Sequence, residues 1–172
     1  MADGNILAPF RPSNHDHRKC VAEAIAAAEA RCAADGQRFT ALRRRVLELV
    51  WSGHGPVRAY DLLDALRDER RGAAPPTVYR ALDFLLGLGL IHRIESLNAY
   101  VGCGSPQRAH GGQFLICRDC GSVAELDDGA ISRAVTRGAG AVGFAAEHQM
   151  VEVVGLCPRC GPAARRGDRH AP

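Results

Sequence analysis

Apolar positions recur at helical spacing through the first ninety residues and alternate afterwards. From His17 to Ala34 an alanine-rich stretch with Val21, Ile25 and Glu29 predicts a helix that stops near Gly36. Thr40 is a candidate N-cap for a second helix, ALRRRVLELVW, ended by Gly53, with Leu42, Val46, Leu49 and Val50 along one side. A third helix is predicted from about Arg58 to Arg71, with Leu62, Leu63 and Leu66 inward. Pro75 and Pro76 open a fourth, roughly Thr77 to Leu88, because proline is tolerated in a first helical turn. Its apolar stripe is Val78, Ala81, Leu82 and Leu85, which leaves Thr77, Arg80 and Asp83 on the other side.

After Gly89 the period shortens to that of β-strands: LIHRIE, a turn at Leu97-Asn98, then AYVGC. Helices followed by such a hairpin predict a winged helix over residues 17–101, behind a flexible tail at 1–16. Residues 102–112 read as a hinge or linker. A small α/β domain follows at 113–161: strand QFLIC, a cysteine turn, strand SVAEL, a helix from about Asp128 to Ala141, and a last strand within HQMVEVVGL. The Arg-, Gly- and Pro-rich tail at 162–172 reads as disordered. The fold class is therefore α+β.

Composition narrows the setting. The chain has 172 residues, enough for one medium or two small domains. No apolar run approaches the 18 or so residues of a membrane span, and the N-terminus lacks the basic start and apolar core of a secretory signal. A cytoplasmic protein with reduced thiols is expected. Net charge is only +3, but Lys19 is the only lysine, so 21 of the 22 basic residues are arginine. Arginine suits bidentate contacts to phosphate and guanine; GC-rich coding gives the same bias.

Seven cysteines then need a reason other than disulfides. Cys117-Arg-Asp-Cys120 and Cys157-Pro-Arg-Cys160 are two knuckles, each followed by a glycine, that offer four thiolates to a closed tetrahedral zinc site. The rival, a redox dithiol, needs one knuckle beside a βαβ unit. Cys20 and Cys32 are twelve residues apart on one predicted helix, roughly 18 Å along its axis, too far to share a metal within one chain. They read as small apolar residues. A hairpin turning on Leu97-Asn98 places His92 directly opposite Cys103, a pair fit to ligate one cation, with His110 and Glu125 the next candidates. Such a site would tie the two domains together. Arg43, Arg44 and Arg45 sweep three directions around the second helix, so at least one faces solvent, as a phosphate contact or a plain solvated face.

The strings AYDLLDALRDE (59–69), PPTVYRALDFLLGLGLIHRIESLNAYVGC (75–103), FLICRDCGSVAEL (114–126) and GLCPRC (155–160) resemble the zinc-sensing branch of the ferric uptake regulator superfamily, over about residues 20–161. The resemblance implies a homodimeric, metal-dependent transcriptional repressor with a winged-helix domain and a C-terminal dimerisation domain. By it, Cys117, Cys120, Cys157 and Cys160 match structural zinc ligands, and His92, Cys103, His110 and Glu125 match regulatory zinc ligands, giving two Zn2+ per subunit. Tyr60 and Arg80 match base-contacting positions, with Tyr79 beside them and Thr77 on the same outward side of the helix as Arg80. Iron-sensing relatives carry a His-rich string before the first knuckle; here Arg108-Ala-His-Gly-Gly has one histidine, and the soft Cys103 thiolate favours zinc. His148 and Glu152 resemble an additional metal site of some relatives, but its partner ligands look missing.

The implied partners are double-stranded operator DNA and a second copy of the chain, with no membrane and no small-molecule substrate. Three alternatives stand beside this. One is an iron- or peroxide-responsive member of the same superfamily. Another is a zinc enzyme, against which the chain has no His-Glu-x-x-His and no deaminase-type His-x-Glu. The third is a zinc-ribbon interaction module, which the helical half does not suit.

Overall fold

The structure is a computed structural model that describes residues 5–10, 16–53, 55–69, 74–107 and 110–161. In chain order the elements are β1 (Asn5–Ala8), α1 (His17–Ala34), α2 (Ala41–Trp51), β2 (Val57–Arg58), α3 (Ala59–Glu69), α4 (Pro75–Gly87), β3 (Ile91–Ile94), a 3₁₀ turn (Glu95–Leu97), β4 (Ala99–Gly102), β5 (Gly112–Cys117), β6 (Val123–Asp127), α5 (Gly129–Ala141) and β7 (Met150–Gly155). They divide into two compact units. Arg11–Ala109 form a helical unit, and Met1–Phe10 join His110–Pro172 in a sheet unit.

Local chemistry sets the helix starts. The Asp16 carboxylate accepts from the Arg18 amide at 3.0 Å and the Thr40 hydroxyl from the Arg43 amide at 3.4 Å, satisfying first-turn N–H groups that have no helical partner. Pro75 occupies the first turn of α4, where its missing N–H costs nothing. The core of the helical unit is Val46, Leu47 and Val50 of α2, Leu62, Leu63 and Leu66 of α3, and Val78, Ala81, Leu82 and Leu85 of α4, with Ile25 and Ala28 of α1. Leu47, absent from the expected stripe, is fully buried, while Leu42 and Leu49 sit at the rim.

The wing is an antiparallel sheet of order β2-β4-β3. Here the expected register needs correction. His92 lies opposite Val101, not Cys103, and Ile94 opposite Ala99, so residues 95–98 make the connection. A two-residue turn would put both Leu97 and Asn98 at positive φ, and Leu resists that region. Only Asn98 adopts it, at φ 45°, with its side-chain oxygen accepting from Arg93 at 3.0 Å. The shift is two residues, so it preserves the face. Cys103 extends the ladder through its N–H to the Leu90 carbonyl at 3.1 Å and becomes the diagonal neighbour of His92. Next to it, a Cβ on Gly102 would stand 2.0 Å from the Trp51 ring, so only glycine lets α2 close on β4 there.

The sheet unit has strand order β1-β6-β5-β7. β5 and β6 form an antiparallel pair, whereas β7 runs parallel to β5, a reversal that needs the crossover supplied by α5. The buried Gln113 amide anchors the start of that helix: it donates to the Asp128 carbonyl at 3.0 Å and the Ser132 hydroxyl at 2.9 Å, and accepts from the Asp128 amide at 3.0 Å. Two expectations change. The tail expected over 1–16 contains a strand, β1, because β6 offers a free edge for Asn5–Ala8 to pair with. The linker expected over 102–112 is shorter, since Gly102 ends β4 and Gly112 begins β5. Arg70, Arg71 and the tail expected at 162–172 lie outside the described residues. No helix among the described residues is long and apolar enough to cross a membrane.

Candidate metal centres and nucleic-acid face

Parallel pairing of β5 with β7 brings the two knuckles together. Cys117 ends β5 opposite Gly155, and Cys157 follows two residues later, so both chains turn at the same end of adjacent strands. Each knuckle closes by the same contact: the Gly121 amide donates to the Cys117 carbonyl and the Gly161 amide to the Cys157 carbonyl, both at 2.9 Å. Gly121 sits at φ +70°, where a side chain would be strained. The four sulfurs all lie within 4.8 Å of one another, and Cys120 Sγ is 3.7 Å from Cys157 Sγ. Zinc–sulfur bonds of about 2.3 Å in a tetrahedron separate sulfurs by about 3.8 Å, so this donor set fits zinc.

The electrostatics fit as well. Backbone N–H groups of Cys157 and Cys120 hold the Cys117 thiol down to about 6. The Cys160 thiol is pushed up to about 12, first by its contact with Cys120, then by burial and by Cys157 and Cys117. The Cys157 thiol is lowered too, its burial outweighed by backbone N–H groups of Cys160 and Arg159, so two of the four thiols ionise readily while that of Cys160 is opposed by its neighbours. The Ser122 hydroxyl, 3.0 Å from Cys120 Sγ, is a supporting partner that the sequence reading missed. Its place two residues past the knuckle, in the hairpin to β6, was the available signal.

The other candidate donors come in two pairs, one in each unit. In the helical unit, ligand atoms of His92 on β3 and Cys103 after β4 lie within 4.8 Å of each other, with Cys103 buried. In the sheet unit, His110 Nε2 lies 2.7 Å from Glu125 Oε1, both side chains 3% exposed. Imidazole, thiolate and carboxylate are all zinc donors. Among the described residues, His148 and Glu152 belong to no cluster of three donors. Cys20 and Cys32 are buried along α1, which suits small apolar residues.

On α4 the buried stripe turns Thr77, Tyr79, Arg80 and Asp83 outward; Tyr79 is 41% exposed, and Tyr60 on α3 is 67% exposed. Among the described residues no carboxylate pairs with Arg80. The arginine run of α2, read from sequence as either a phosphate contact or a plain solvated face, is engaged within the helical unit. Arg43 stacks over the Phe84 ring at 3.4 Å and Arg44 pairs with Glu29. Arg45 bonds to Glu69 at 2.8 Å and to Glu48 at 2.9 Å, which raises its already high pKa. Packing of α1 and α3 against α2 supplied Glu29 and Glu69, which the local sequence did not show, whereas Glu48 lies three residues on in α2 itself.

Comparison with known proteins places the chain in a family. The profile of the ferric uptake regulator family matches residues 34–154. The zinc uptake regulation protein of Escherichia coli (strain K12) is 43% identical over 139 residues, covering 80% of this chain and 81% of that protein. Among solved structures, a zinc uptake regulator complexed with zinc and DNA is 37% identical with a TM-score of 0.76, covering 91% of this chain and 99% of that one. A crystal structure of holo XcZur is 43% identical with a TM-score of 0.75, covering 84% of this chain and 99% of that one. With the profile covering more than half of its length and these relatives matching both units, the chain belongs to the ferric uptake regulator family.

Proposed function

We propose that this chain is a cytoplasmic, zinc-responsive transcriptional repressor that binds operator DNA as a homodimer and controls zinc-uptake genes. It is a transcription regulator, not an enzyme. The observation that carries the reading is the presence in one chain of a four-thiol cluster and, apart from it, a half-buried histidine beside a buried cysteine and a buried His–Glu side-chain pair. The first set suits a structural metal, and the second suits one whose occupancy varies. We assign two zinc ions per subunit: one held by Cys117, Cys120, Cys157 and Cys160, the other by His92, Cys103, His110 and Glu125. Bound there, zinc supplies a dication that accepts nitrogen, sulfur and oxygen donors together.

Because the second ligand set draws on both units, it favours one arrangement of the winged helix against the sheet unit. DNA affinity changes only by the differential affinity between arrangements, and DNA tightens metal binding reciprocally. Homodimerisation has support within the sheet unit. α5 is amphipathic yet buries no residue; Val135 on it and Val142 and Phe144 just past its end are exposed, and the edge strand β7 exposes Val153 and Val154. An apolar face of that extent marks a protein interface. A gel shift on the chain's own promoter region tests the whole reading. Retardation is expected with zinc and should vanish with a chelator; equal retardation in both lanes overturns it.

α4 would enter the major groove, where the Arg80 fork matches guanine O6 and N7. Losing one bidentate pair costs about 1–3 kcal/mol of discrimination. Arg80→Ala is therefore expected to lower operator affinity by roughly 5–150-fold while affinity for scrambled duplex falls much less. Equal losses on both duplexes would move base reading to Thr77, Tyr79 or Tyr60.

A further inference from the structure

The N-terminal strand stands against the one strand of the sheet unit that carries a candidate regulatory ligand. β1 pairs antiparallel with β6, with Asn5 opposite Asp127, Ile6 opposite Leu126 and Ala8 opposite Glu125. The ladder shifts between Ile6 and Ala8, so a bulge at Leu7 adjoins the Glu125 position. Bulges bend a strand locally and re-aim the side chains beside them. On its other side Glu125 lies opposite Phe114 of β5. With β1 in place, Glu125 sits on an interior strand; without it, β6 is the edge of the sheet, its outer N–H and C=O groups open to water. Glu125 meets His110 Nε2 at 2.7 Å, so fraying of β6 would loosen that donor pair.

We infer that β1 is a positioning strap for Glu125: its pairing with β6 raises the affinity of the regulatory zinc site, and metal binding there strengthens its docking in return. The inference rests on the assignment of Glu125 as a ligand. The coupling is reciprocal by linkage. The segment read from sequence as a loose tail thereby becomes part of the sensor.

Strand-weakening and strand-preserving variants of the full chain separate the strap from a merely structural edge. Ile6→Gly with Leu7→Gly removes strand preference, and Ile6→Val with Leu7→Val keeps it. Zinc affinity of the second site is read by competition with a chromophoric chelator, and amide exchange of residues 5–8 by mass spectrometry with and without zinc. The glycine pair is expected to weaken the second zinc about tenfold and leave the four-thiol zinc at one per chain. The valine pair should match the parent, and zinc should slow exchange in β1 of the parent. A second-zinc affinity within twofold of the parent in the glycine pair, or β1 exchange indifferent to zinc, overturns the strap. Glu125→Gln is the control: parental second-zinc affinity in that variant removes the ligand assignment itself, and the inference with it.

Discussion

Cys120→Ser protein is expected to lose the four-thiol zinc and, with it, the folded sheet unit. Cys120 Sγ lies 3.7 Å from Cys157 Sγ in a cluster whose sulfurs all fall within 4.8 Å. A serine oxygen stays protonated at neutral pH and reaches less far, leaving three thiols and an open position. Structural zinc in small domains binds with about 10–16 kcal/mol, and where the site forms only on folding that binding is folding free energy. A whole domain is stable by only about 5–15 kcal/mol, so losing most of the metal contribution outweighs what remains. What remains here is thin: α5 buries no residue, and among the described residues the buried apolar set of the unit is Phe114, Ile116 and Ala124 beside the cysteines. Native mass spectrometry should show chains short of one zinc and a dimer that dissociates. A fully zinc-loaded Cys120→Ser dimer at low micromolar concentration would refute the structural role.

What the sequence disclosed and what it hid follow from the range of the interactions involved. α1, α2 and α4 were legible at both ends because their signals are local: Thr40 caps α2, Pro75 opens α4, and Gly36 and Gly89 lie at positive φ just past α1 and α4. The knuckles were legible because two ligands three residues apart in one tight turn need no distant partner to be recognised. β1 was hidden because four residues carry no usable period, and its partner β6 lies more than a hundred residues away. The same holds for the α2 arginines, whose partners Glu29, Glu69 and Phe84 come from three other helices.

His92 and Cys103 show an intermediate case. Counting from an assumed two-residue turn placed the ladder two positions out, yet the face was right, because strand side chains alternate with a period of two. An odd error would have put the imidazole and the thiol on opposite sides of the wing. His110 and Glu125 were named as the next candidate donors, and the family resemblance then matched them, with His92 and Cys103, to one ligand set. Their 2.7 Å contact depends on β5 and β6 pairing in one register, which fifteen residues of separation do not announce.

That pairing of ligands makes Cys103→Ser the sharpest test of the sensor. Cys103 is buried, and its N–H extends the wing ladder to the Leu90 carbonyl at 3.1 Å, a bond serine preserves. Side-chain volume barely changes, so the helical unit should fold, and the four-thiol zinc should stay because none of its ligands is touched. The hydroxyl, however, offers no thiolate, and a soft donor is what sets this ligand group apart from an iron site. On the proposed assignment of two zinc ions per subunit, the variant should therefore carry one. Its DNA affinity should stop responding to zinc, forfeiting a stimulation of about 5–150-fold that a coupling of 1–3 kcal/mol provides. Cys20→Ser is the matched control, since Cys20 and Cys103 line the same cavity of about 150 Å³ beside Trp51. Damage to packing there would appear in both variants, whereas loss of a ligand appears only in Cys103→Ser. Fluorescence anisotropy of labelled operator, titrated across buffered zinc, separates them. If the Cys103→Ser curve still climbs with zinc as the parent's does, Cys103 is not a ligand of the sensor site.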